Sequence, residues 1–366
     1  MECQHFLSCG SCNFYEKSYE EQVEFKKERL SSIASQEVSC FVSPKTNYRS
    51  RAEFRVWHDG DKCSYAMGNA EKNGVVLIEE CPKVLVSIEE RMWEMLRVIN
   101  KSNILKHKLF SVEFLASTLD EVLVTLIYHK KLDEDWVKVA RELEAKLDIS
   151  LIGRSKGQKL ILSKESVTQN LDIDGVNFWY LYYDGGFTQP NPFVNTQMVS
   201  WACAKAATIG GGDLLESYCG LGNFTLPLSR YFSKVLATEV SKRSIANAKE
   251  NCLLNKITNI SFVRLSSEEL SQALKQERAF NRLKDIDLES FNFRCVLVDP
   301  PRAGLDSGTL EIISSIEYII YISCNPETLS RDLEILRQTH EIVDAAMFDQ
   351  FPYTEHIESG VFLKLR

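Results

Sequence analysis

The stretch GGDLLESYCGLGNF, Gly211 to Phe224, decides the fold. It reads as a short apolar strand that runs into a glycine turn, and the helical LPLSRYF follows it. Glu216, Gly220 and Gly222 make an acid-x-x-x-Gly-x-Gly turn, where missing side chains let a ligand approach the backbone. Outward from this turn, KVLATEV (Lys234 to Val240) is a second strand. SKRSIANAKENCLLNK (Ser241 to Lys256) is a helix opened by a serine N-cap. ISFVRL, CVLVDPPRAG and EYIIYISCNP, beginning at Ile260, Cys295 and Glu317, supply three more strands. This alternation predicts an α/β fold with a doubly wound, mostly parallel sheet, which binds its ligands at the carboxyl ends of the strands.

Several strand ends carry chemistry. Glu239 closes the second strand about 20 residues beyond the glycine turn, a distance at which a carboxylate can reach ribose hydroxyls. The third glycine of a dinucleotide fingerprint is missing, because Thr225 occupies its place. That favours a ligand without a pyrophosphate, such as S-adenosylmethionine. Asp299 ends a strand ahead of two stiffening prolines; a rigid loop with a capping aspartate is the plain alternative. Cys324 stands where the apolar run YIIYIS breaks at Asn325-Pro326, at a strand end where chemistry is expected.

The chain has 366 residues, 44% hydrophobic and 26% charged, enough for two soluble domains. A net charge of −8 speaks against coating nucleic acid nonspecifically but leaves room for a local basic patch. No apolar run approaches the roughly 20 residues of a membrane span. The opening MECQHFLSCG lacks the basic and apolar regions of a secretory signal. A cytoplasmic protein is expected, so the eleven cysteines read as thiols, ligands or a nucleophile and not as a disulfide framework.

Four motifs, YCGLGNF, DPPRAGLD, YISCNPETL and DQFPYTEHIESGVFL, together resemble the RNA uracil-5-methyltransferases. FTQPN, FNRLKDIDL, YRSRAEFRVWHDGD, LKHKLF, IYHKKLD and LIGR extend the resemblance along almost the whole chain, toward the branch that methylates the T-loop uridine of tRNA. The resemblance implies a class I S-adenosylmethionine-dependent methyltransferase domain at 186–366 and an α+β RNA-binding domain at 1–185. It implies that Cys324 is the nucleophile and that Glu358, in HIES, is the base; taken alone, Glu358 would read as a solvated carboxylate. Gln189 of FTQPN, Tyr218, Asn223, Glu239 and Asp299 would surround the S-adenosylmethionine. The implied substrate is tRNA, with other RNAs of T-loop-like fold such as tmRNA, and the implied state is a monomer. A uracil-5-methyltransferase acting on 23S ribosomal RNA is the closest alternative.

Tyr48 to Trp57 alternates with period two, so Arg49, Arg51, Glu53, Arg55 and Trp57 share one face of a strand, suited to phosphate and base stacking or simply to solvent. Lys106, His107, Lys108 and Phe110 form a second cluster; His129, Lys130 and Lys131 form a third. Cys3, Cys9 and Cys12 resemble the iron–sulfur motif of the ribosomal RNA branch, with Cys81, followed by proline, as fourth ligand. Four thiolates suit a [4Fe–4S] cluster and also structural zinc. Free thiols at a frayed terminus are the remaining alternative.

Overall fold

The computed structural model describes residues 2–14 and 16–366. Helix α1 (Tyr19–Ala34) opens with a capping box. The Ser18 hydroxyl accepts from the Glu21 N–H, and the Glu21 carboxylate accepts from the Ser18 N–H. The short β1 (Ser39–Phe41) follows and joins the sheet of the C-terminal half.

The chain then builds a seven-stranded sheet from β2 (Arg51–Asp59), β3 (Lys62–Gly68), β4 (Val75–Ile78), β5 (Leu109–Ala116), β6 (Val122–Tyr128), β7 (Ser150–Ser155) and β8 (Gln158–Ile161). Helices α2 (Val86–Lys101) and α3 (Asn103–Lys106) lie between β4 and β5, and α4 (Glu134–Leu147) makes the crossover between the parallel pair β6 and β7. The strand order is β4-β3-β2-β5-β6-β7-β8. Ile88, Met92, Met95 and Ile99 of α2, at helical spacing, pack with Trp136, Phe54, Tyr65 and Phe114 in one core. In β2 the alternation is real: Phe54 and Val56 are buried, whereas Glu53, Arg55 and Trp57 are exposed. The arginine stripe is shorter than expected. Arg49 precedes the strand, and Arg51 turns to donate to the Gly186 carbonyl at 2.6 Å.

A hairpin of β9 (Ser166–Ile173) and β10 (Val176–Tyr183) turns at Asp174-Gly175, both at positive φ, as a tight two-residue hairpin requires. Its open edge is satisfied by side chains: Asn251 Oδ1 accepts from the Leu181 N–H and Asn255 Oδ1 from the Trp179 N–H, both at 2.8 Å. The expected division at residue 185 does not follow the sheets. Residues 19–41 and the hairpin belong with the C-terminal half, because Leu30 and Val38, and Leu171, Phe178 and Tyr180, are buried in its cores.

The C-terminal half continues with α5 (Pro192–Ala207), β11 (Asp213–Ser217), α6 (Thr225–Leu228), β12 (Val235–Thr238), α7 (Lys242–Leu254), β13 (Ile260–Val263) and α8 (Ser267–Leu274). It ends with β14 (Phe293–Val298), α9 (Ser307–Ile313), β15 (Tyr318–Ser323), α10 (Pro326–Leu336), β16 (His340–Phe348) and β17 (Glu358–Leu365). The sheet order is β1-β16-β17-β15-β14-β11-β12-β13. Strands β11 to β15 are mutually parallel, and β17 inserts antiparallel between β15 and β16. The chain winds outward from β11 through β12 to β13, then crosses back to β14. The switch point between β11 and β14 is where such a sheet opens a ligand crevice.

Candidate active site

At that switch point a cleft is lined by Gln189, Tyr218, Asn223 and Asp299, together with Glu216, Cys219 and Phe187. Tyr218 takes a left-handed φ of 66°, uncommon for a residue other than glycine, which turns the chain sharply away from β11. Gly220 faces open space, since a Cβ there would meet no atom within 4 Å, so a ligand can lie against the backbone. The Glu239 carboxylate accepts from the Gly220 N–H at 3.3 Å and the Ser241 N–H at 2.7 Å, bracing the glycine turn against the start of α7. Asn223 exchanges two 2.8 Å amide hydrogen bonds with buried Asn195. Gln189 accepts from Gln350 at 3.1 Å. Four of the five expected cofactor residues thus line one cleft, and Glu239 holds its turn. The cleft combines exposed backbone and carboxyl groups with no basic side chain among its lining residues, which fits S-adenosylmethionine, whose sulfonium is cationic.

The two residues expected to carry the chemistry, Cys324 and Glu358, lie on the neighbouring strands. Strand β15 ends at Ser323 and β17 begins at Glu358; Ser323 pairs with Ser359 across the antiparallel ladder. Cys324 and Glu358 therefore leave the same edge of the sheet, beside Asp299 at the end of β14. Cys324 is half-buried and Glu358 buried. Burial, then the charges of Glu358 and Asp299, push the Cys324 thiol up to about 11, while Arg302 opposes them. Burial and Asp299 hold Glu358 well above the ordinary carboxylate range, with Arg302 again opposing. Burial lifts Asp299 to about 7. Carboxyls sharing a buried site cannot all ionise easily, so a proton is retained there. A thiol, a buried carboxyl and a guanidinium in one part-buried site can add sulfur to an electron-poor ring carbon and then move a proton.

Arg302 was not assigned a role by sequence, although it sits inside DPPRAGLD. Its carbonyl accepts from Asn325 Nδ2 at 2.8 Å, tying its loop to the residue after Cys324. Its Nη2 lies 3.4 Å from His356 Nε2. The loop before Glu358 is pinned by α1. Lys26 Nζ donates to Asp349 Oδ1 at 2.7 Å and to the Phe351 carbonyl at 3.0 Å, Tyr19 donates to Asp349 Oδ2 at 2.8 Å, and Gln22 accepts from the Tyr353 N–H at 3.0 Å.

Cys3, Cys9, Cys12 and Cys81 line one cavity of about 410 Å³ with Arg49, Lys83, Arg302 and His356, next to the loop that precedes Glu358. Among the described residues, no three His, Cys, Asp or Glu side chains are close enough together to hold a metal ion. Farther along the N-terminal sheet, Phe110 and His129 stack at 4.5 Å, joining the second and third basic clusters. Among the described residues, no helix is long and apolar enough to cross a membrane.

Comparison with known proteins agrees with this geometry. The sequence model of the family described as tRNA (Uracil-5-)-methyltransferase matches residues 14–366. The chain is 59% identical to the tRNA/tmRNA (uracil-C(5))-methyltransferase of Sulfurovum sp. (strain NBC37-1), covering 100% of each chain. It is 51% identical to the protein of the same name from a Nitratiruptor species, covering 99% of each. Its fold is that of the Pyrococcus abyssi tRNA (uracil-54, C5)-methyltransferase solved with S-adenosyl-L-homocysteine, with a TM-score of 0.74 over 96% of this chain and 84% of that one at 24% identity. The curated names favour tRNA over the ribosomal alternative.

Proposed function

The chain belongs to the tRNA (uracil-5-)-methyltransferase family, and on that premise we propose that Cys324 is the nucleophile and Glu358 the base of a methylation at carbon 5 of the T-loop uridine. The enzyme is an S-adenosylmethionine-dependent tRNA (uracil-5-)-methyltransferase. S-adenosylmethionine supplies the methyl group as an electrophile when bound. The protein's own work is to make carbon 5 nucleophilic, because an unactivated uracil is too poor a nucleophile. The Cys324 thiolate adds to carbon 6, forming a carbon–sulfur bond and leaving an enolate whose charge reaches carbon 5. Once carbon 5 carries the methyl group, Glu358 takes its proton; the electron pair restores the ring double bond and expels the Cys324 sulfur.

The observation that carries this reading is the placement of Cys324 and Glu358 at one sheet edge, beside Asp299 and the cofactor cleft. Arg302, which favours the charged form of both groups, is the cation at hand for the thiolate. The exposed Arg55 and Trp57 and the Phe110–His129 stack offer phosphate and stacking contacts for a folded RNA loop. Other RNAs of T-loop-like fold, tmRNA included, are expected substrates of the same surface. The protein is read as a cytoplasmic monomer. The test is to incubate the purified enzyme and methyl donor with unmodified tRNA and with a 23S ribosomal RNA fragment, then analyse the nucleosides. 5-Methyluridine in the tRNA T-loop supports the reading; methylation confined to the ribosomal fragment overturns it.

A [4Fe–4S] cluster on Cys3, Cys9, Cys12 and Cys81 is the second part of the proposal, with structural zinc as the alternative. In its favour, the four cysteines line a common cavity in which Arg49, Lys83 and Arg302 outnumber the carboxylates of Glu53 and Glu80. The cysteines must draw together on loading. The role would be to pin the N-terminal segment beside the catalytic loop. Anaerobically purified protein should contain about four iron and four sulfide per chain and lose both in Cys81→Ser. Colourless protein with zinc or no metal would refute the cluster.

A further inference from the structure

Glu216 is almost wholly buried at the end of β11, yet its Oε2 has no hydrogen-bond partner among the described residues. Burial of a carboxylate without a partner is costly, so such a group stays protonated or awaits a ligand. Among the described residues, its surroundings do not supply a cation. Asp299 faces it from the end of β14, Tyr180 from β10, Cys219 from the glycine turn and Thr225 from the start of α6. The Thr225 hydroxyl is near enough to favour the anion, but it too lacks a hydrogen-bond partner. Burial lifts Tyr180 and Cys219 well above their ordinary values, so both stay neutral near pH 7. Glu216 lines the cofactor cleft, whose lining residues hold two carboxyls and no Lys, Arg or His.

We propose that Glu216 is a proton-linked positioning residue that distinguishes the cationic methyl donor from its neutral thioether product. The inference rests on S-adenosylmethionine as the ligand of this cleft. With the cleft unliganded, the Glu216 carboxyl keeps its proton. When the sulfonium form binds, the carboxyl releases that proton to solvent and becomes the counter-charge the cleft otherwise lacks. After the methyl group has left, the ligand's sulfur is uncharged, the buried carboxylate loses its partner, and a proton returns from solvent. The product is then held less tightly than the donor. Burial, with Asp299 adding to it, raises Glu216 to about 8, which places this exchange in the neutral range.

The test is calorimetric titration of the whole protein with S-adenosylmethionine and with S-adenosylhomocysteine, at pH 7, in two buffers of different ionisation enthalpy. Wild type should release about one proton on binding the donor and close to none on binding the product. Donor affinity should rise between pH 6 and 8, by at most about tenfold per pH unit, and level off above that. Glu216→Gln should lose the proton release and most of the preference for the donor. Donor binding by wild type with no proton release overturns the proposal without any variant. Proton release retained in Glu216→Gln and lost in Asp299→Asn assigns the proton to Asp299 and also overturns it. Absence of any donor binding removes the reading of the cleft itself, and this inference with it.

Discussion

Ser359 donates its hydroxyl to the Ser323 carbonyl at 3.0 Å, across the antiparallel pairing of β15 and β17. This link lies at the end of the register that puts Cys324, the proposed nucleophile one residue beyond Ser323, opposite Glu358, the proposed base one residue before Ser359. A one-residue slip would turn the Glu358 side chain to the other face of the sheet. Glu358 is itself held by pairing with Phe348 of β16, and Cys324 follows the last paired residue of β15.

Glu358→Gln should still form the covalent bond and accept the methyl group, then stall. Methylated RNA should accumulate attached to protein, with release slowed by about 10²–10⁴-fold. Burial and Asp299 raise the Glu358 pKa, so the base is lost as pH falls; wild-type release should quicken as pH rises, and the variant should lose that dependence. Rapid-quench kinetics on labelled RNA reads both effects, and normal turnover by Glu358→Gln would place the base elsewhere.

Arg302→Gln should slow attack more than it weakens binding of the methyl donor. It removes the charge that opposes the upward shift of Cys324, so each further pKa unit costs about tenfold in thiolate at a given pH. The rate deficit should shrink as pH rises toward the thiol's range. A pH-independent deficit would mean that Arg302 acts only on RNA.

Lys26→Met leaves the Asp349 carboxylate buried without its cation and should cost about 3–5 kcal/mol in urea unfolding. Because α1 pins the loop leading to Glu358, activity should fall at temperatures below unfolding. The double variant Lys26→Met/Asp349→Leu should recover much of the stability. A single variant as stable as wild type would show that the pair does not anchor the loop.

Arg55→Glu should weaken tRNA binding and flatten its salt dependence, by about one released counterion for each phosphate no longer neutralised. Phe110→Ala should remove about 1–3 kcal/mol if a base stacks there. Neither change should alter methyl-donor affinity. Unchanged tRNA binding in both would move the RNA surface elsewhere.

The parallel strands β11 to β15 are legible because each is a short apolar run, and all but β13 carry chemistry at the carboxyl end. By contrast, β1 is three residues long and has no pattern of its own; only its pairing with β16 places it in the C-terminal sheet. Period two showed that Arg51 opposes Phe54 but not that Gly186 would claim its guanidinium. Glu216 is visible in the glycine turn, yet only the packed structure shows that no cation among the described residues lines its cleft. The cysteines could be grouped by resemblance, but their common cavity with Arg302 depends on long-range folding.

The most direct measurement of the central claim is covalent trapping on tRNA carrying 5-fluorouridine in the T-loop, in the presence of S-adenosylmethionine. Fluorine cannot leave as a proton does, so wild type should give a protein–RNA complex that survives denaturing electrophoresis, and peptide mapping should place the bond on Cys324. Cys324→Ala should give no complex and no methylation. An undiminished complex in Cys324→Ala would contradict the account.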